Sequence, residues 1–201
     1  MRTNYALWTG LFIIAALVTL ATKYLAYFPG DVAIEKWVQS LVPQSLNWAE
    51  GVSWTADFPW ILLIVAIIFA LSWSLCGWRA ALLSILSFVG VLALGKWLGP
   101  VIARPRPSPE LVRVFRSYSG YSSPSLFALR YAATFGFLAM LAAMRSSGVL
   151  RTALLIGCGA FLVIGWVARV TLGAHWPSDV IISYYLGLLW AAFLIRFAPL
   201  A

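Results

Sequence analysis

Six apolar runs, each about the length a helix needs to cross a bilayer core, dominate this 201-residue chain. Their approximate limits are Leu7–Ala26, Phe58–Cys76, Ala80–Leu98, Leu126–Met144, Thr152–Val170 and Val180–Phe197. Membrane strands need only about 10 residues and alternate apolar with polar positions, which these runs do not. The runs therefore predict helices, which satisfy their own backbone hydrogen bonds in lipid. The first run has too long an apolar core, and no clear small-residue cleavage site, for a cleaved signal peptide. The expected architecture is all-α: a six-transmembrane-helix bundle forming a single membrane domain over residues 1–201.

Composition enters as a check. Apolar residues make up 63% of the chain and charged residues 10%, against roughly 45–50% and about 25% in soluble domains. That excludes disorder and a water-soluble globule. Cys76 and Cys158 lie in or beside apolar runs and read as buried thiols, not as a disulfide framework or a metal site.

Two polar segments separate the runs. Pro29–Asp57 contains Trp37, Trp48 and Trp54, and its stretch DVAIEKWVQSLV predicts a short interfacial helix between spans one and two. Gly99–Ser125 holds five of the ten prolines, together with Arg104, Arg106, Arg113 and Arg116, and reads as a structured loop. With six spans both termini share one side, which carries Arg2, Arg79, Arg145, Arg151 and Arg196 and no acid. All six acids, Asp31, Glu35, Glu50, Asp57, Glu110 and Asp179, fall on the other side. Lys and Arg near span ends mark the cytoplasmic face. The expectation is an integral protein of a bacterial inner membrane, with cytoplasmic termini and polar loops on the periplasmic or extracellular side. The formal charge of +8 then suits anionic lipid headgroups or an anionic substrate. It does not suit nucleic acid, because it is divided between two membrane faces.

Three segments meet at the outer end in this topology. The first supplies Lys96 and the loop arginines. The second supplies Ser122, Ser123 and Ser125, with Arg130 just inside span four, where it reads as a snorkelling anchor. The third is ARVTLGAHWPSDV, with Arg169, His175 and Asp179; its Trp176 reads as an interface anchor. A charge such as Arg169 at a span end is costly unless paired or used. If Pro177 begins the last helix, Asp179 sits in its first turn. An Asp near a His can fix its tautomer and raise its basicity. The other imidazole nitrogen can then attack phosphorus while guanidinium groups hold the phosphate oxygens. This chemistry needs no metal or other cofactor.

These residues resemble the type 2 phosphatidic acid phosphatase (PAP2) superfamily of integral-membrane lipid phosphatases. The family's third motif, Arg, five residues, His, three residues, Asp, is met by Arg169, His175 and Asp179. Its first motif is Lys, six residues, Arg-Pro. Here seven residues separate Lys96 from Arg104 and nine separate it from Arg106, so both arginines stay candidates. Its second motif, Pro-Ser-Gly-His, reads Pro124, Ser125, Leu126 and Phe127. The resemblance implies that His175 is a nucleophile oriented by Asp179. It implies phosphate contacts from Lys96, Arg104 or Arg106, Ser125 and Arg169, and a membrane lipid as substrate. In the family the second-motif His is thought to protonate the leaving group. Phe127 cannot, and the chain has no second His. General acid catalysis is typically worth about 10²–10⁴-fold. Its loss favours a substrate whose leaving group is already a weak base, such as a polyprenyl diphosphate. A phosphotransferase of the same fold, or a non-catalytic relative that binds or moves phospholipid, are the alternatives. An ion-coupled transporter fits less well, since span interiors lack acids and no inverted repeat is evident.

Overall fold

The computed structural model describes residues 5–43, 45–145 and 147–198; Arg2 and the side chain of Arg145 lie outside what is described. Among the described residues the chain is helical, with no strand. Helix α1 (Tyr5–Tyr24) precedes two short helices, α2 (Asp31–Leu41) and α3 (Asn47–Thr55). The long α4 (Trp60–Ile102) follows, then α5 (Leu126–Tyr131), a π turn at Ala132–Gly136 and α6 (Phe137–Arg145). Helices α7 (Gly148–Thr171) and α8 (Pro177–Ile195) complete the fold.

Among the described residues, five helical stretches are long and apolar enough to cross a membrane: α1, α4, residues 126–144, α7 and α8. The expected second and third spans fall on one element, α4, which is 43 residues long. A straight helix of that length would hold its ends about 65 Å apart. Yet Asp57, just before α4, lines one pocket together with Lys96 and Gly99 near its end. The chain must therefore fold back inside α4. The one non-helical residue there is Gly77, at φ 77° and ψ −179°, a conformation open to glycine because it has no Cβ. The six expected spans thus meet five helical elements, one of them doubled back at Gly77.

Residues 126–144 form the centre. In that stretch 72% of residues are buried, against 11% in α1, which faces outward. Helices α4, α7 and α8 pack around it. The π turn leaves backbone carbonyls off the regular ladder, and the Ser87 hydroxyl of α4 donates to the Ala133 carbonyl at 3.0 Å. Ser125 caps α5 by accepting from the Ala128 N–H at 3.4 Å, and Pro177 opens α8 at a position where a missing N–H costs nothing.

The segment read as an interfacial helix forms α2, with α3 as a second short helix. Its packing is inverted relative to a soluble amphipathic helix. Ile34, Trp37 and Leu41 are exposed, whereas Asp31, Glu35 and Gln39, four residues apart along one face, are buried. That face turns toward α7 and α8. The Gln39 amide donates to the Arg113 carbonyl at 2.7 Å and accepts from the Arg113 N–H at 3.1 Å, so α2 clamps the arginine-rich loop onto the α7–α8 corner.

Candidate active site

The corner between α7 and α8 presents the lone histidine. Gly173 makes the turn at φ 63°, and a Cβ there would strike the backbone at Arg113. The Phe115 N–H donates to the Leu172 carbonyl at 3.0 Å, and the Trp176 indole donates to the Pro105 carbonyl at 3.2 Å. The loop and the corner are thereby locked together. Trp176 is buried, so it serves as a pin between them and not as the interface anchor expected from sequence.

His175 is buried, with Nδ1 2.6 Å from the Ser122 carbonyl. A carbonyl only accepts, so Nδ1 carries the proton and Nε2 keeps its lone pair. Nε2 lies 3.4 Å from Arg106 Nη1. Burial, reinforced by the nearby Arg169 and Arg106 charges, holds the imidazole well below its ordinary pKa, although the Ser122 hydrogen bond opposes this. The ring is neutral at neutral pH, the form a nucleophile needs.

Asp179 is fully buried but meets other partners. One oxygen pairs with Arg104 and the other accepts the Ser122 hydroxyl. Asp179 therefore reaches the imidazole through Ser122, whose carbonyl holds Nδ1. Arg104 is equally buried. It donates to the Leu25 carbonyl at 2.9 Å and to Ser178 at 3.0 Å, and pairs with Asp31 at 3.4 Å. Asp31 in turn accepts from the Ser178 N–H at 2.9 Å and hydroxyl at 2.7 Å. This network fixes the start of α8 from α2 and the loop.

The pocket at this corner has a volume of about 420 Å³, and His175, Lys96, Arg106 and Arg169 line it. Of the expected phosphate contacts, Arg104 and Ser125 do not: Arg104 is spent in the ion network, and the Ser125 hydroxyl caps α5. Arg106 is aimed at the pocket by the Ala174, Gly120 and Ser119 carbonyls. Arg169 donates to the Ser53 hydroxyl at 2.9 Å and leaves its Nε without a partner. Phe127 lines the pocket too, with the Arg169 guanidinium 5.4 Å from its ring centre.

Sequence reasoning named Arg116 only among the loop arginines and Arg130 only as an anchor, and did not name Tyr118; all three line the pocket. Arg130 does not snorkel; it donates to the Ala56 carbonyl at 2.5 Å and pairs with Asp57 at 3.3 Å. Tyr118 stands among three guanidinium groups, those of Arg106, Arg116 and Arg169, each 5.2–5.6 Å from its ring centre. The signal for these residues was their shared loop or span entrance, but nothing local told which would face inward.

Glu35 lies beside the ion network, fully buried, with neither carboxylate oxygen hydrogen-bonded. Burial first, then the Asp31 and Asp179 charges, push its pKa up to about 9. The folded state therefore holds a proton that the unfolded chain releases near pH 4.5, and stability falls as pH rises from 4.5 to about 9. Glu35→Gln, which cannot ionise, should remove this slope and stabilise the protein at pH 8.5 by on the order of 2 kcal/mol. Thermal unfolding in detergent at pH 5 and 8.5 measures it; equal slopes for both proteins would rule the account out.

A model of the PAP2 superfamily matches residues 77–201, which hold the pocket's Lys96, Arg106, Arg169 and His175. The fold is similar to the crystal structure of the first transmembrane PAP2 type phosphatidylglycerolphosphate phosphatase, from Bacillus subtilis. The TM-score is 0.72 at 21% sequence identity, with 94% of each chain covered. No curated protein matches. Helices α1 to α3 lie outside the matched residues, yet α2 supplies the Asp31 and Gln39 contacts that hold the corner. With more than half its length matched and its helices arranged as in a transmembrane PAP2 phosphatase, this integral membrane chain belongs to the PAP2 superfamily.

Proposed function

We propose that the chain is a membrane lipid phosphatase that removes a terminal phosphate through His175, with a polyprenyl diphosphate or similar lipid diphosphate as substrate. One observation carries the reading: a neutral imidazole, held at Nδ1 by the Ser122 carbonyl, presents Nε2 to a pocket lined by Lys96, Arg106 and Arg169. In the first step Nε2 bonds to the terminal phosphorus. The bond from phosphorus to the bridging oxygen breaks, and its electron pair leaves on the lipid-side oxygen. In the second step water attacks the phosphohistidine, the P–N bond breaks, and inorganic phosphate leaves with His175 regenerated. The arginines stabilise the charge on the transferring group in both steps. Asp179 is a positioning residue here, acting through Ser122.

The diphosphate preference rests on what faces the leaving group. Phe127 lines the pocket and has no proton to give. Burial holds the Tyr118 phenol above its ordinary range, against the pull of Arg169 and Arg116, so it is a poor acid. The pocket's carboxylate, Asp57, already accepts from Arg130. A lipid phosphate leaving from a diphosphate is a far weaker base than an alkoxide and needs little protonation.

The whole chain serves as one domain in this reading. The pocket end faces the periplasm or exterior, since the opposite end carries Arg79, Arg145, Arg151 and Arg196 without an acid. Phosphate release from a polyprenyl diphosphate, without added metal, should exceed release from the matching monophosphate by about 10²-fold or more. Equal or faster monophosphate turnover would sink the diphosphate reading. Phosphate moved onto another lipid, with none released, would make the protein a phosphotransferase.

A further inference from the structure

A second cavity, of about 850 Å³, lies between α1, the later half of α4 and α8. It shares no lining residue with the active-site pocket: Lys96 of α4 lines that pocket, whereas the next residue, Trp97, lines this cavity. Helix α1 is fastened at both of its ends. The Tyr185 hydroxyl donates to the Leu11 carbonyl at 2.8 Å, and just beyond α1 the Leu25 carbonyl accepts from Arg104 at 2.9 Å. The cavity occupies the stretch between these two ties.

Its depth matches one leaflet. Lys23 and Val101 stand at the active-site end of α1 and α4, and Phe12 and Gly90 stand at the far end of the cavity. Both walls therefore run about 17 Å at 1.5 Å per residue, close to half of the ~30 Å hydrocarbon core. Trp190 closes the far end. Its indole donates to the Ser87 carbonyl at 3.2 Å, and it packs where Gly90 has no Cβ; an added Cβ would lie 2.4 Å from Nε1.

The polar groups are ordered along this depth. Lys23 is the charged residue of the lining, is exposed, and joins none of the ion pairs among the described residues. Thr19 lies one turn deeper on the same wall, about 6 Å along the axis, and its hydroxyl has no hydrogen-bond partner among the described residues. In lipid such a hydroxyl is costly unless a ligand meets it, and Thr has two accessible χ1 rotamers in a helix with which to turn toward one. A phosphoglyceride presents its groups in this order: an anion at the surface, an ester carbonyl a few bonds deeper, then an acyl chain.

We propose that the cavity is a site for a resident anionic glycerophospholipid, with its phosphate on Lys23, an ester carbonyl at Thr19 and an acyl chain running down to Trp190. The lipid is a structural ligand and not the substrate, and the proposal does not depend on what His175 does. It braces the end of α1. From Lys23 the chain runs directly to Leu25, which holds Arg104, and to Phe28, whose ring centre lies 5.0 Å from the same guanidinium. Binding at Lys23 thus steadies the segment that feeds the Arg104, Asp31 and Asp179 network.

Native mass spectrometry of the delipidated protein in detergent, titrated with phosphatidylglycerol, phosphatidylcholine and a polyprenyl monophosphate, tests this. One phosphatidylglycerol should bind about fivefold more tightly than phosphatidylcholine, the worth of one lysine near a membrane surface, and more tightly than the polyprenyl phosphate, which has no ester. Lys23→Gln should remove the preference over phosphatidylcholine. Ala93→Trp, which puts an indole into the cavity from an exposed position on α4, should weaken both phospholipids. Phosphatidylglycerol should also raise the melting temperature of the wild type and not that of Lys23→Gln. Equal affinity for the two phospholipids, or a preference that survives Lys23→Gln, would reduce the cavity to ordinary annular contact and overturn the proposal. Tighter binding of the polyprenyl phosphate would overturn it too, by making the cavity a berth for an isoprenoid tail. Should Ala93→Trp fail to fold, Lys23→Gln, on an exposed side chain, carries the test.

Discussion

Alanine in place of His175 is expected to cut kcat for phosphate release by about 10⁴-fold or more while KM changes little. In the proposed reading Lys96, Arg106 and Arg169 hold the phosphate, and the two arginines have anchors other than the imidazole. Arg106 is aimed by the Ala174, Gly120 and Ser119 carbonyls, and Arg169 by Ser53. Removing the ring therefore takes away the nucleophile and leaves the cradle. Its one firm hydrogen bond, to the Ser122 carbonyl, is a modest loss, so the variant should still elute as folded protein in detergent. Substrate labelled on the terminal phosphate should leave acid-labile label on the wild-type protein and none on His175→Ala. Retention of activity within about tenfold would exclude covalent catalysis at this residue.

That expectation was partly open to sequence reading, because the features behind it are local. A run of about 20 apolar residues announces a span wherever it packs, and Arg169, His175 and Asp179 lie close enough along the chain to share one corner. What each side chain touches there is not local. Asp179 could have met His175, four residues away, but Ser122 and Arg104 arrive from the loop before α5 and take both oxygens. The Ser122 backbone carbonyl then occupies the place at Nδ1 expected for the carboxylate, and no side-chain pattern reports a backbone carbonyl. Arg130 read as an anchor because its span entrance faces lipid in one dimension; only the α3–α4 turn, folding back onto α5, converts it into a pocket residue. The doubling of α4 had a visible mark in Gly77, yet two apolar runs separated by a few residues fit a broken helix as readily as two separate ones. The Asp31, Glu35 and Gln39 stripe was the opposite case: its four-residue spacing is plain, but its meaning depends on α2 turning Ile34, Trp37 and Leu41 outward and the stripe onto α7 and α8.

Arg104 and Arg106 stand two residues apart, and the structure gives them opposite expected phenotypes. Helix α4 ends at Ala103 in a left-handed conformation, φ 52°, which sends Arg104 inward to Asp179 and Asp31 and leaves Arg106 at the pocket. Arg104→Leu should destabilise the fold by about 3–5 kcal/mol, because it strands two buried carboxylates that share one guanidinium. Asp31 and Asp179 would face each other with Glu35 alongside, and the start of α8 would lose its tether to α2. Activity would fall in step with folded protein. Arg106→Gln touches none of this network. It should keep the wild-type melting temperature and lose about 10²–10³-fold in kcat, as removal of one preorganised donor to a developing oxyanion does. Lysine at 104 retains the charge but cannot reach Leu25, Ser178, Asp31 and Asp179 together, so Arg104→Lys should fall between wild type and Arg104→Leu in melting temperature. Melting curves and kcat measured side by side on the three variants separate the roles. An Arg104→Leu protein that melts like wild type but releases no phosphate would put Arg104, and not the ion network, in the phosphate cradle.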